Sequence, residues 1–500
     1  MKKVLSLLLA VIIALTAFIG VSAASKTCNC DTPPVVFVHG FGAYPLYMDM
    51  GTDNETQVFP PNTPSIIKSV PAILKVLNTL LVTGNYSRCA AGLTEVLDNM
   101  MGYLACDKEG NSIYNVSPEI PPLPTEDKHK RTDYTYDTHA DNHQETAQYN
   151  FFYDWRLDPM DNAKRLDTYI KHIKKLTRHN KVVLASHSQG NTVVAAYLSL
   201  YSCTDVEKVI FLSPAFKGLY MIGNILTKNI SVEGKSDAFT LYLKGLFGNS
   251  FGGKIGYELI NGLNKGGVLP FVMKRLQKLL DAEFDNVYET ELKSLFGYMP
   301  GIWSFCPDEY YTQAKKEMFG NGKGYEKLIK KIDNYHYNVQ FKLENILNSC
   351  KKKGMSFAIC AGYDISSIPV VPGNEQQSDM LIDTAYMTIG ATGAQPGKTL
   401  GDNYKQMVKC GHNHLSPDGI VDASTCAYPE QTWFFKGQDH NTFKEGYTQF
   451  ITDLVLYDGQ PTVQNMKNYT QFMTNADDGS LVNVEAPGKA KFSLPFKIAA

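Results

Sequence analysis

The sequence predicts an α/β fold, with a mostly parallel central sheet flanked by helices and a mainly helical cap inserted into it. Three observations carry this. Short, unbroken, β-branched apolar runs at Val35–Val38, 182–185 and 209–212 have the composition of strands buried on both faces. Helical patterns alternate with them: Leu166, Tyr169, Ile170, Ile173 and Leu176 share one face, and 193–198 suits a buried helix. From 218 to 354 the chain instead reads as helical stretches broken by glycines, including 271–280 and 325–332.

Taken in order, the chain opens on Met1, Lys2 and Lys3, an apolar run over 4–21, and Ser22-Ala23-Ala24-Ser25. This is the layout of a signal peptide, with cleavage expected after Ala23 or Ala24 and a secreted, extracellular product; the alternative is an uncleaved membrane anchor. Residues 25–217 read as the first part of the core. Its strand 35–38 ends at His39-Gly40-Phe41-Gly42, and the run 150–153 leads into Asp154-Trp155-Arg156. After the cap at 218–354, sheet character resumes at 357–361 and 432–435, then a helix carries Phe443, Tyr447, Phe450, Ile451 and Leu454, so the second part of the core spans 355–457. The tail, 458–500, is polar, with a weak helical pattern at 463–472 and no readable chemistry.

With 500 residues, 44% of them hydrophobic, the chain can fill a large core. Its 48 basic and 50 acidic residues leave a formal charge of −2, too little to gather nucleic acid. All ten cysteines lie beyond the expected cleavage site, so several disulfides are expected, with Cys28-Asn29-Cys30 read as disulfide-forming. Glycosylation sequons begin at Asn54, Asn85, Asn115, Asn229 and Asn468.

The chemistry centres on Ser186-His187-Ser188-Gln189-Gly190, between a strand and a helix. A nucleophile elbow puts a serine hydroxyl on such a turn, flanked by small residues because the turn is sharp, and this sharpens the expected fold to the α/β-hydrolase fold. Ser186 stands where the usual pattern has glycine. The turn after the first strand would supply the Phe41 backbone N–H, and the elbow helix the Gln189 N–H, as an oxyanion hole for a tetrahedral intermediate. A serine needs a base, and in this fold the acid and the histidine follow it in the chain. Among His336, His412, His414 and His440, the last follows the 432–435 strand and precedes the final helix, which selects His440. Asp418, in a turn beside Gly419, is the expected acid, with Asp422 and Asp439 as rivals. His39 and His187 are expected to hold turns through hydrogen bonds.

Tyr153-Asp154-Trp155-Arg156 ahead of an amphipathic helix, followed by a strand and the His187-Ser188 elbow, resembles the lecithin:cholesterol acyltransferase and lysosomal phospholipase A family. Pro300-Gly301-Ile302-Trp303 is similar to that family's cap. Asp418-Gly419-Ile420-Val421 is similar both to the family's acid loop and to that of bacterial secreted lipases. The resemblance implies a lipid acyl ester as substrate. The chain departs from the family at Ser186 and at Gln189, where methionine is common. Trp155 and Arg156 are read as structural.

Two clusters have metal-ligand chemistry: Cys410, His412 and His414, and a second group of His129, Asp133, Asp137, His139 and His143. Disulfide use of Cys410 and a solvated loop account for them, and neither cofactor nor metal is expected. The expected activity is ester hydrolysis through Ser188, His440 and Asp418, with cap residues Leu243, Leu246, Phe247, Leu259, Leu263, Leu269 and Phe271 covering an acyl chain and transient contact with a membrane or micelle surface. The rivals are acyl transfer to an alcohol and a non-catalytic surface-binding protein on the same fold.

Overall fold

A computed structural model of the chain describes Cys28 and residues 34–128, 149–247, 251–372 and 376–486. The expected signal peptide, Cys30 and the cluster from His129 to His143 lie outside the described residues.

The apolar runs form the strands of an eight-stranded sheet: β1 (Val35–Val38), β2 (Tyr149–Phe151), β3 (Val182–His187), β4 (Val206–Leu212), β5 (Ser356–Tyr363), β6 (Thr432–Lys436), β7 (Phe472–Asn475) and β8 (Leu481–Asn483). Their order is β8-β7-β6-β5-β4-β3-β1-β2, and every neighbouring pair is parallel except β7 with β8. Side chains alternate across the sheet with period two. Val36, Val38, Val182, Leu184, Val209, Phe211, Phe357 and Ile359 enter one core, and Val35, Phe37, Val183, Ala185, Ile210, Leu212, Ala358 and Cys360 the other.

The flanking helices follow from the same patterning. α1 (Thr63–Asn78) and α2 (Tyr86–Met101) precede the second strand, α3 (Pro159–Thr177) follows it, and α4 (Gly190–Tyr201) follows β3. Pro159 opens α3, where its missing N–H has no partner to lose, and the Asp158 carboxylate caps the Met160 N–H at 2.9 Å. Between β4 and β5 the described chain is helical: α5 (Tyr220–Leu226), α6 (Ser236–Phe247), α7 (Phe251–Lys265), α8 (Val268–Val287), a short turn at Pro300–Trp303, α9 (Asp308–Phe319), α10 (Glu326–Tyr335) and α11 (Leu343–Lys352). This is the stretch read as a cap, and part of it has its own apolar core around Trp303, Tyr311 and Leu328. α12 (Glu445–Leu456) covers the second sheet face with Tyr447, Phe450, Ile451 and Leu454.

One expectation changes. The stretch 458–500 is not merely an irregular tail, because β7 and β8 extend the sheet from it, and 463–472 is turns rather than helix. Among the described residues no disulfide links Cys89, Cys106, Cys203, Cys306, Cys350, Cys360, Cys410 or Cys426. Cys106, Cys203, Cys350 and Cys426 share one apolar core, with Cys203 Sγ 3.6 Å from the Cys350 carbonyl, while Cys360, Cys306 and Cys89 sit in three others. Burial pushes the Cys106 and Cys426 thiols up to about 12.

Arg156 is fully buried and its guanidinium is satisfied, donating to Asp154 Oδ1 at 3.1 Å, Asp154 Oδ2 at 2.7 Å, Leu104 O at 2.9 Å and Val116 O at 3.1 Å. One side chain thus ties the chain after β2 to the segment 104–118. Asp154→Ala leaves that cation buried without its counter-charge, and we expect a loss of about 3–5 kcal/mol of stability, read by urea denaturation; an unchanged midpoint contradicts the assignment.

Candidate active site

The site is built at the carboxyl ends of β1, β3, β5 and β6. β3 runs to His187, and Ser188 turns the chain into α4 with φ of +54°, a left-handed conformation that a serine adopts only under constraint. The constraint is steric. A Cβ on Gly190 would strike the Val38 carbonyl oxygen, and one on Gly40 would lie 2.7 Å from Ser188 Cβ. The β1 turn and the Ser188 turn therefore pack backbone to backbone.

Ser186, in place of the usual glycine, is accommodated because its hydroxyl donates to Asn191 Oδ1 at 2.7 Å. Asn191 Nδ2 in turn donates to Ser188 O at 2.9 Å and Leu212 O at 3.1 Å, while the Ser188 N–H donates to Leu212 O at 3.0 Å. The departure thus fastens the turn to β4.

His440 follows β6 and lies over the turn. Its Nε2 is 2.9 Å from Ser188 Oγ and its Nδ1 is 2.7 Å from Asp379 Oδ2. A carboxylate only accepts, so Nδ1–H donates to Asp379 and Nε2 is left to accept from Ser188. Ser188 is 4% exposed and Asp379 is fully buried. Burial raises the Asp379 pKa, but the charge and hydrogen bond of His440 and the backbone amides of Ile382 and Leu381 outweigh it and hold the carboxyl below its ordinary range.

Asp379 replaces Asp418 in the expected set. Asp418 accepts from Ser416 Oγ at 2.6 Å and Tyr363 Oη at 3.1 Å and pairs with Lys436 Nζ at 2.9 Å, so its oxygens are spent on its own turn and on β5 and β6. Asp422 accepts from the Ser424 and Met407 amides and from Tyr404 Oη. Asp439 accepts from the Asn441 and Thr442 amides. His336 is buried in the cap against Tyr311, with Gln340 and Asp308 as partners. His412 and His414 lie near the amino end of β6, at the opposite end of the strand from His440.

Gln189 follows Ser188 and Phe41 follows Gly40, which packs against Ser188, and neither backbone N–H donates to an acceptor among the described residues. Their surroundings are fixed. Tyr153 Oη donates to His39 O at 2.8 Å, behind the turn that carries Phe41, and the Phe41 ring lies 4.1 Å from that of Trp155. The Gln189 side chain donates to Trp155 O at 2.8 Å and Gly301 O at 3.2 Å, and the Gly301 N–H donates to Arg156 O at 2.9 Å. Tyr153 to Arg156 and the Pro300–Trp303 turn therefore meet at Gln189. The side chain that departs from the resembled family joins them.

His187 donates from Nε2 to the His440 carbonyl at 2.9 Å, and burial, then the neighbouring His440, lower its pKa to about 3. It is a neutral brace for the histidine loop. His39 Nε2 bonds Asn150 Oδ1 at 2.9 Å, linking the β1 turn to β2.

No family model and no curated protein matches the chain. A solved structure described as the crystal structure of Tle4-Tli4 complex is similar at 15% identity and a TM-score of 0.19, over 39% of this chain and 48% of that one. The chain spans less than half the length of that protein, and so remote a likeness carries no argument.

Two predictions follow from this geometry. In Asp379→Asn an amide N–H faces His440 and drives the ring to the tautomer protonated at Nε2, so fluorophosphonate labelling of Ser188 should slow by about 10⁴-fold; Asp418→Asn should keep the same order of magnitude. Near the site, burial first, then Asp379 and Glu309, raise the Asp383 pKa to about 7. The folded state therefore binds that proton more tightly than the unfolded chain, and its stabilisation, complete below the ordinary carboxylate range, is lost as pH rises towards 7. Thermal melts from pH 4 to 8 should show this decline in the wild type and its flattening in Asp383→Asn.

Proposed function

We propose that the chain is a serine hydrolase of the α/β-hydrolase fold that cleaves carboxylic acyl esters, with lipid esters as the substrate class. The observation that carries this is the unbroken relay from Ser188 Oγ to His440 at 2.9 Å and from His440 to Asp379 at 2.7 Å.

In this reading Ser188 Oγ bonds to the ester carbonyl carbon as its proton passes to His440 Nε2. The charge that develops on the carbonyl oxygen is met by the Phe41 and Gln189 N–H groups, the latter at the positive end of α4; each such donor lowers the barrier by about 2.7–4 kcal/mol. Collapse expels the alcohol, which takes the proton from His440 and leaves an acyl-enzyme. Water then attacks with His440 as base, and the acid leaves as Ser188 regains its proton. Asp379 stays ionised and holds the imidazole in its tautomer.

Apolar surface supports the lipid half. Ile66, Ile67, Val70 and Leu74 of α1 are exposed, and of the cap residues named for an acyl chain, Leu259, Leu263 and Phe271 are exposed while Leu243 and Leu269 are half-buried. The side chains of Leu246 and Phe247 lie outside the described residues. Exposed apolar surface on this scale is a mark of contact with lipid or another apolar partner. A cavity of about 600 Å³ lined by Leu241, Met380, Gln438 and Asp439 opens beside the residues that flank Asp379 and His440. The signal-like N-terminus supports a site of action outside the cell.

A hydrolysis panel across acyl length and head group, run with wild type and Ser188→Ala, tests the proposal. We expect release of free fatty acid, with the variant slower by about 10⁶-fold. Transfer of acyl groups to added alcohol in preference to water would redirect the reading to a transferase, and no turnover of any ester by folded protein would overturn it.

A further inference from the structure

Away from the candidate active site, near the amino ends of β6 and β7, the chain brings together His412, His414 and Glu430, with one ligand atom from each lying within 4.8 Å of the others. His412 Nδ1 is 2.8 Å from Glu430 Oε1, and His414 Nε2 is 3.3 Å from the same oxygen. We propose that this is a structural zinc site with two imidazoles and one carboxylate as protein ligands and water in the fourth position.

The tautomer of His414 is the reason. His414 is fully buried, and its Nδ1 lies 2.7 Å from Gln471 Oε1. The orientation of Gln471 is fixed, because its Nε2 donates to Pro429 O at 2.7 Å and to Thr432 O at 3.1 Å; Oε1 is therefore the acceptor facing the ring. The proton sits on Nδ1, and Nε2 presents a lone pair. That lone pair has no hydrogen-bond partner among the described residues, and it faces a carboxylate oxygen, which also can only accept. Two acceptors turned towards each other across 3.3 Å, one of them fully buried, are repulsive unless a proton or a metal cation lies between them.

Zinc suits the set. With zinc to ligand distances of about 2.0–2.1 Å, tetrahedral geometry separates neighbouring ligand atoms by about 3.3–3.4 Å, the spacing of His414 Nε2 and Glu430 Oε1, while His412 Nδ1, now 2.8 Å from that oxygen, sits on an exposed side chain free to adjust. A ligating histidine whose other N–H donates to a fixed acceptor is the usual outer arrangement of such sites, and Gln471 fills that role. His412 and Glu430 reach solvent and give an entry path, while His414 anchors the site in the protein. Cys410, grouped with these histidines in the sequence, lies outside the three-atom cluster. The ion would fasten the 410–414 loop to the turn that starts β6. Ser188 and His440 lie past the opposite ends of the strands, so the role is structural and independent of the proposed hydrolase activity.

The test uses the full chain, stripped with dipicolinate and titrated with zinc chloride by calorimetry, with thermal melts alongside and cobalt(II) substituted for absorption spectra. We expect one zinc per chain, a melting temperature that rises with zinc, and the visible bands of tetrahedral cobalt. His412→Ala and Glu430→Gln, both at solvent-accessible ligands, should each weaken affinity by more than about 100-fold, beyond the 10–100-fold typical of an outer partner. Metal-free melts matching the wild type would show that both variants fold. Absence of saturable binding at one zinc per chain, or unchanged affinity in either variant, would overturn the proposal and leave a protonated His414 paired with Glu430.

Discussion

The left-handed turn at Ser188 is the constraint on which the candidate site depends. Such a backbone costs on the order of 1–3 kcal/mol and persists only where its surroundings leave no alternative. Here Gly190 lies against the β1 carbonyls, Gly40 lies against Ser188 itself, and Asn191 ties the turn to β4. The same close approach brings the turn that carries Phe41 against the Ser188 turn. Sheet order supplies the rest, since β1, β3, β5 and β6 run parallel and end on one side.

Electrostatics then distinguishes the acids around His440. Asp379 is buried with no lysine or arginine partner among the described residues, and its charge is balanced by the imidazole and two amides. Asp418 already has a cation in Lys436, which fixes it as a structural ion pair. The ring of His187 lies 4.7 Å from that of His440 and is held neutral by burial, so it adds no charge to compete with the Asp379 and His440 pair. The site thus contains one carboxylate free to respond to a proton on His440.

The pairing of Ser188 with His440 was legible in the sequence because each sits at a local junction of strand and turn or strand and helix, which apolar runs and glycines mark. The parallel sheet was legible for the same reason. Asp379 was not. Chain order admits any acid between β5 and His440, and the Asp418-Gly419 turn carried the stronger local signal. Ser378-Asp379-Met380-Leu381 has no glycine; Met380 takes the positive φ of +86° itself, and Asp379 stabilises the bend by accepting from the Leu381 and Ile382 amides. An aspartate closing its own turn was the available sign. β7 and β8 were obscured because three- and four-residue strands are too short to show alternation.

The central claim is that Ser188 is a nucleophile activated by His440. Its most direct measurement is peptide mapping by mass spectrometry of the folded chain after reaction with a lipid-like fluorophosphonate. The account predicts a single phosphonyl adduct on the Ser188 peptide, absent when His440 is replaced by alanine. Modification at another residue, or none while the protein remains folded, would contradict it.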